Sequence, residues 1–537
     1  MNVLDDTLIG IDVGEAGTEL VSLSALIARL LTGPEVHGFP ALSADQRGYW
    51  WRFLVRCASR ALRTADMEVD EAALHTPAAL CARVRAALLR HSEIGDWTLH
   101  HADPGQPAFL QSPAPGMALS ESGYRPESCA LLTAIIGTRE HERKSQVQRA
   151  LRADELVFAL VEYQTGVIFG GRGNYESQLS GSRSGAGSGT PFMGVSIGHS
   201  MVRTFRHDVA TLLTTWSEVE RELRGEVWAL WREPWDGETS IPAARLDPAF
   251  IPYARMVRVD PPRDGVFERV WFKPSSKGRV ADHTGGGALG DPFTPLVVDP
   301  KGGHLKVRGT LEQGYGYGEV VRLLFPRGDD AAQPSPSVRR LLEQHGDDVG
   351  EAWVHFEGLA FQQGKTRGFH RRMVRLPKPP PRLSFSQHLR DPVQQAHPEM
   401  LEATRRTGSA LRSAFAMLMR GAPRPREEDR RRTEHVLAGF DAAVDGAYLT
   451  YLLDVPNRAR GLPSEEVTLA YRQWLFDRAT RTVFPAGVAS LPRASSRSFE
   501  YEVRAEAYLR GRLRNELELP APDAAATDAA PEEKEAR

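Results

Sequence analysis

The chain has 537 residues, longer than the roughly 250–300 that one hydrophobic core sustains, so at least two domains are expected. Hydrophobic residues make up 41% and charged residues 25%, with 67 Lys+Arg against 69 Asp+Glu; this is a globular composition whose net charge of −2 excludes a global attraction to nucleic acid and leaves phosphate binding to local basic patches. Cys57, Cys81 and Cys129 are too few and too scattered for a disulfide framework or a zinc site, the acidic opening "MNVLDDTLIGIDVG" is unlike a signal peptide, and no apolar run reaches the ~18 residues of a membrane span, so a soluble cytoplasmic protein with no membrane partner is expected.

Alternating apolar positions in "NVLDDTLIGIDV" and "TELVSL" predict a short opening hairpin, and "LIARLL" and "QRGYWWRFLVRCASRAL" have helical spacing. The Pro-, Gly- and Ser-rich stretch 92–127 predicts loop. "ADELVFALVEYQTG" predicts a helix, followed by a glycine- and serine-rich loop over 170–189, and "VATLLTTWSEVERELRGEVWAL" reads as broken helix. "YARMVRV", "VFERVWFK", "TPLVV" and "HLKVRG" read as strands, and "RGDDAAQPSPS" as an exposed linker.

After the prolines at 377–381 the pattern changes. Stretches around "EMLEATRRTGSALRSAFAMLMR", "EDRRRTEHVLAGFDAAVDGAYLTYLL", "SEEVTLAYRQWLFDRATRTVF" and "FEYEVRAEAYLRGRLRNEL" each carry helical periodicity, with Pro or Gly between them. The expectation is an α+β protein: a large mixed α/β domain over 1–380, a C-terminal four-helix bundle over 381–520, and a disordered tail over 521–537.

"FEGLAFQQGKT" ends in the Gly-Lys-Thr of a nucleotide-binding P-loop. In that motif four residues separate the first Gly from Gly-Lys-Ser/Thr, so that backbone N–H groups ring the phosphates at a helix N-terminus. Here five residues separate Gly358 from Gly364, and "RGFHRRMVRLP" after Lys365 alternates like a strand, so the stretch predicts a hairpin and not an ATP site. Its tip holds Gln362, Gln363, Gly364 and Lys365, and its returning strand holds Arg371, Arg372 and Arg375. On composition alone an edge strand guarded by cations is the simpler account.

Other polar segments also stand out. "GNYESQLSGSRSGAGSGTPF" is a flexible linker or a loop whose small residues let the backbone approach a ligand. "GTREHERKSQVQR" packs Arg139, His141, Arg143, Lys144 and Arg149 into a short polar segment, which on composition reads as a charged helix start. His207-Asp208 matches the dipeptide of metal-dependent HD phosphohydrolases, but two residues arise easily by chance and a satisfied surface pair is the better account. With no Ser-His-Asp order, HExxH or clustered His/Cys set, no catalytic residue, metal or cofactor is expected.

Read together, the pieces resemble the large subunit, CasA, of the type I-E CRISPR Cascade. The similarity rests on the order of "NVLDDTLIGI", "PAFLQSP", "TREHERK", "YQTGVIFGGRGNYESQLSGSRSGAGSGTP", "EPWDGETSIPAARLDPAFIPYARMVRV" and "ALGDPFTPLVV", followed by the terminal helices. Leu8 stands where the family has tryptophan, Ser184 where it has asparagine before the paired glycines, and the cysteine cluster of some members is missing.

The resemblance implies a non-catalytic subunit that works with guide RNA, other Cascade subunits and a separate helicase-nuclease, and reads the motif adjacent to the target on double-stranded DNA. It implies a wedge at Gln363 that splits the first base pair, with Gln362 and Gly364 shaping the tip and Lys365 on a phosphate. The loop through Gly181, Arg183, Gly185, Gly187 and Gly189 would enter the minor groove, joined by Lys273 or Lys277. Arg371, Arg372 and Arg375 would follow the duplex backbone or displaced strand, and Arg139, His141 and Lys144 would contact the guide RNA or anchor the subunit.

Overall fold

The computed structural model describes all residues except 115–117, 134–149, 168–171, 180–189, 220–222, 282–288, 300–302, 304, 327–331, 363–364, 459–463, 493–495 and 521–537. The chain divides into two compact units, Met1–Phe385 and Ser386–Arg537.

The first unit opens with the expected antiparallel hairpin, β1 (Ile9–Asp12) and β2 (Thr18–Val21), with Ile9 opposite Val21. Helix α1 (Leu23–Thr32) starts where the Ser22 side chain accepts the Ala25 N–H and stops at Gly33, whose φ of 89° suits glycine. Helix α2 (Arg47–Thr64) crosses the core, burying Trp50, Phe53, Leu54 and Val55. It buries cations too: Arg52 and Arg56 both reach the buried Asp291, at 2.8 and 3.1 Å. The two guanidinium groups hold the Asp291 carboxyl below its usual range against the opposing effect of burial.

Helix α3 (Pro77–Leu89) begins at the Thr76 cap and packs on α1 and α2. Helix α4 (Ala153–Gly166) coincides with "ADELVFALVEYQTG" and is buried from Leu156 to Gly166. A helix without a polar face must satisfy its polar side chains internally, and it does so through Gln164. Gly166 lies so close to α2 that a Cβ there would meet the Tyr49 ring at 2.7 Å.

Strands β3 (Arg125–Ser128), β7 (Met256–Val259) and β8 (Arg269–Lys273) form one antiparallel sheet in the order β3-β8-β7. Strands β5 (Val227–Ala229) and β6 (Leu246–Ile251) pair in parallel, and β9 (Leu296–Val298) pairs with β10 (Leu305–Val307). The expected broken helix is one helix, α5 (Met201–Val219), followed by β5. Two short helices, α6 (Tyr317–Leu324) and α7 (Pro336–Glu343), precede a long hairpin that completes a three-stranded sheet, in which β4 (Phe192–Ile197), β11 (Ala352–Gln362) and β12 (Lys365–Leu376) run in the order β12-β11-β4.

The second unit is the expected set of long helices, with altered boundaries. Helix α8 (Phe385–Arg420), all but its first residue in this unit, starts well before "EMLE" and runs through Pro392 and Pro398. Each proline removes a backbone bond, but Phe385, Leu389, Val393, Ala396, Met400 and Ala403 form a continuous buried stripe at helical spacing, and that burial outweighs the loss. Helix α9 (Glu427–Arg458) lies beside α10 (Ser464–Arg478), which continues through a π-turn at Ala479–Val483 to Phe484–Ser490, and α11 (Ser498–Glu516) closes the unit. Hydrogen bonds tie them together: Thr404 to Tyr471 at 2.7 Å, Tyr448 to His397 at 2.8 Å, and Arg512 to Ser409 and Ser413 at 3.1 and 2.9 Å.

Contrary to the sequence expectation, α9 is long and apolar enough by composition to cross a membrane. Its Val436, Leu437, Phe440, Val444, Tyr448 and Leu452 are buried in this unit, as in the core helix of a bundle.

Candidate nucleic-acid interface

The hairpin read from "FEGLAFQQGKT" is the longest antiparallel pair among the described residues. Ala352 stands opposite Leu376 at its root and Gln362 opposite Lys365 at its tip. The chain after Lys365 is strand, so the helix that a P-loop needs is missing. Strand β4 pairs with β11 only from Ala352 to Glu357; beyond that point β11 has β12 alone as a backbone partner. Leu359 and Phe361 nevertheless belong to the main hydrophobic core, so the ribbon is anchored almost to its turn.

Two features stiffen it. Opposite Ala360 and Phe361, Arg367 is an extra residue between Thr366 and Gly368, a β-bulge that turns the end of the ribbon. A loop over Thr310–Tyr315 presses on its face: the Tyr315 hydroxyl donates to the Glu357 carbonyl at 3.0 Å and lies 2.8 Å from the Thr310 hydroxyl. That approach demands glycine at 358, where a Cβ would fall 2.1 Å from Thr310 Oγ1. Strands held this way keep their position under load better than a free loop.

At the point where β4 ends, the buried Glu357 carboxylate accepts from Arg47 at 2.7 Å and pairs with Arg371 Nε at 3.1 Å. His355 lies beside them, its Nδ1 3.1 Å from Arg47 Nη2 and its Nε2 2.6 Å from Ser196 Oγ. Burial, followed by the charges of Arg47 and Arg371, pushes the His355 imidazole far below its ordinary pKa, so it is a neutral hydrogen-bonding link.

The returning strand is less free than its composition implies. Arg371 pairs with Glu357, Arg372 donates to the Tyr315 carbonyl at 2.9 Å, and Arg375 pairs with Glu351. Arg371 and Arg375 are nonetheless exposed on one face, and Arg372 is half-buried on the other. Gln363 and Gly364 lie outside the described residues; Gln362 and Lys365 are placed as the last and first residues of their strands.

Lys273 ends β8, with its ammonium 5.9 Å from the centre of the Tyr124 ring. Lys277 is exposed in the following loop. That loop is bound to the segment that leads into the glycine-serine stretch: Ser275 N donates to the Gly173 carbonyl at 3.1 Å and the Tyr175 hydroxyl to the Ser276 carbonyl at 2.6 Å. The structure therefore brings Lys277 beside the start of that stretch. Gly181, Arg183, Gly185, Gly187 and Gly189 lie outside the described residues, as do Arg139, His141 and Lys144.

His207 and Asp208 are buried, which corrects the surface-pair reading. Asp208 accepts from Trp51 Nε1 at 2.7 Å and Ser337 Oγ at 2.5 Å, and His207 Nε2 lies 2.9 Å from the Ser337 carbonyl, so both fasten α5 to its neighbours. No group of three or more His, Cys, Asp or Glu suited to a metal occurs among the described residues.

The sequence reading missed the role of two glutamines. Gln164 of "YQTG" accepts the N–H groups of Ala254 and Arg255 and donates to the carbonyls of Leu110 and Arg255. Gln111 of "PAFLQSP" donates to the Leu99 and Phe109 carbonyls and accepts the Val259 N–H at 2.7 Å. These motifs are buried fastenings between segments distant in sequence, and a glutamine inside an apolar run was their only local signal.

No family model matches the sequence and no curated protein is significantly similar to it. Solved structures are similar over nearly the whole chain. A crystal structure of CasA from Thermus thermophilus matches 96% of this chain and 99% of its own at 16% identity, with a TM-score of 0.63. The fold is that of CasA. Thermobifida fusca Cse1 matches equally broadly, covering 96% of this chain and 98% of its own at 14% identity with a TM-score of 0.63. A chain of a structure described as a CRISPR RNA-guided surveillance complex matches 95% of this chain and 99% of its own at 14% identity, with a TM-score of 0.59.

Proposed function

We propose that this chain is the large subunit of a type I-E CRISPR Cascade, a cytoplasmic, non-catalytic protein of antiviral defence. In this role it joins the guide RNA and other Cascade subunits, recognises the protospacer-adjacent motif on double-stranded DNA, starts strand separation and R-loop formation, and helps recruit the helicase-nuclease. The observation that carries the reading is the CasA fold across both units and almost the full length of the matched chains.

The anchored hairpin supports the opening step. A side chain at its tip, at Gln363, would be driven between base pairs against a backing that does not yield, and unstacking costs only a few kcal/mol that guide pairing returns. Lys277, beside the start of the glycine-serine stretch, supports a role for that region in the minor groove.

The test is duplex binding by guide-loaded Cascade reconstituted with and without this chain, on targets that differ only in the adjacent motif. Motif-dependent binding that requires the chain is expected. Equal binding without it overturns the reading, and tight binding of duplex DNA by the chain without guide RNA would make it an independent nucleic-acid-binding protein on the same scaffold.

A further inference from the structure

Beside the root of the hairpin, on the face that carries Arg371, is a cavity of about 240 Å3. Its walls come from α2, β4, the start of α5, β11 and β12, and include Arg47, Ser196, His199, Trp353, Arg371 and Met373. The opening tip and the grooves of the duplex lie elsewhere in the proposed function.

Three properties of the cavity define what would fit. It is cationic: Arg47 and Arg371 share the single carboxylate of Glu357, yet their side chains remain 34% and 40% exposed, while His355 is held neutral and adds no charge. It is aromatic and soft at its mouth: the His199 and Trp353 rings stand 4.1 Å apart, and Met373 is 51% exposed, an unusual state for a large apolar side chain in a strand. It also carries strain, since His199 has φ 56° although its side chain is largely solvent-exposed and in contact with the Trp353 ring.

We propose that this cavity binds one nucleotide of single-stranded DNA, with the base on Trp353 and Met373 and a phosphate on Arg371 and Arg47. The volume lies below the ~300 Å3 at which pockets for drug-sized ligands begin, and so admits one planar base and not an extended ligand. Stacking on an aromatic ring beside a guanidinium is the sequence-tolerant means of holding a single strand. Because Glu357 fixes both guanidinium groups, little ordering remains when the phosphate arrives. The inference rests on the DNA-opening role: the separated strand would emerge at the tip of the same hairpin whose root forms this cavity.

The experiment titrates a labelled twelve-nucleotide dT oligonucleotide with the full chain, followed by anisotropy. Trp353→Leu should weaken binding about 5- to 100-fold and Trp353→Phe less, as expected for loss of one stacked base. Met373→Glu places a negative charge at the exposed mouth without entering the core and should weaken binding similarly. Unchanged affinity in both Trp353→Leu and Met373→Glu, or no oligonucleotide binding by the wild-type chain, overturns the proposal. Unchanged oligonucleotide affinity with failure to join Cascade would instead make the face a protein contact. Weakened oligonucleotide binding, in a chain that Cascade does not need for motif-dependent binding, keeps the cavity assignment and removes the Cascade role.

Discussion

Arg47 Nη2 lies 2.7 Å from Glu357 Oε1, joining the first residue of α2 to the last residue of β11 that β4 still pairs. Arg371 reaches the same carboxylate from β12, so one buried group ties a core helix to both strands of the hairpin midway along it.

Removing that charge leaves two guanidinium groups facing each other without compensation. Glu357→Gln is expected to destabilise the first unit by ~1–3 kcal/mol, less than for a fully buried pair because both arginines keep contact with water. Denaturant unfolding checks the magnitude. Hydrogen exchange at Gly358–Phe361 should accelerate more than in α3, because the loss is local to the ribbon.

Gly358→Ala drives a methyl group against the Thr310 hydroxyl, whose oxygen would stand 2.1 Å away. A cost of ~1–3 kcal/mol is expected from overpacking. Thr310→Ala removes that oxygen, so the double variant should be more stable than the sum of the single effects, a non-additivity that a double-mutant cycle measures.

Asp208 and His207 oppose each other in pH dependence. Burial raises the Asp208 carboxyl from 3.8 to about 7, so the folded chain keeps a proton that the unfolded chain releases. Its contribution is complete below the unfolded value of 3.8 and is lost as pH rises to about 7. Burial lowers the His207 imidazole from 6.5 to about 4, so its contribution is complete above 6.5 and is lost as pH falls to about 4. An asparagine at 208 can still accept from Trp51 and hydrogen-bond Ser337. The stability of Asp208→Asn relative to wild type should therefore rise between pH 4 and 7, on the order of 1–4 kcal/mol in total. Thermal unfolding across that range reads the sign.

For the proposed function, Gln363→Ala should slow strand separation, followed by a base-analogue signal beside the adjacent motif, with a smaller effect on initial duplex binding. Shortening 181–189 should instead narrow the affinity gap between correct and incorrect motifs. Full guided opening and full discrimination in both variants would remove these site assignments.

The local elements were legible in the amino-acid sequence. Periodicity located α4 at its observed boundaries, the long hairpin and the helical C-terminal unit, because apolar spacing records which face of an element is buried. The Gly-Lys-Thr was separable from a P-loop for the same reason: the alternation after Lys365 requires a strand.

Which partner each polar residue meets depends on how the chain packs in three dimensions. Arg371, Arg372 and Arg375 look alike in sequence, yet one meets a buried carboxylate, one a backbone carbonyl and one a surface glutamate. The apolar runs around Gln111 and Gln164 do not show which carbonyls and N–H groups these side chains meet, and the spacing around Pro392 and Pro398 does not show the burial that carries α8 through them. These outcomes depend on groups far away along the chain, and a burial pattern read along one segment shows that a face is covered without showing what covers it.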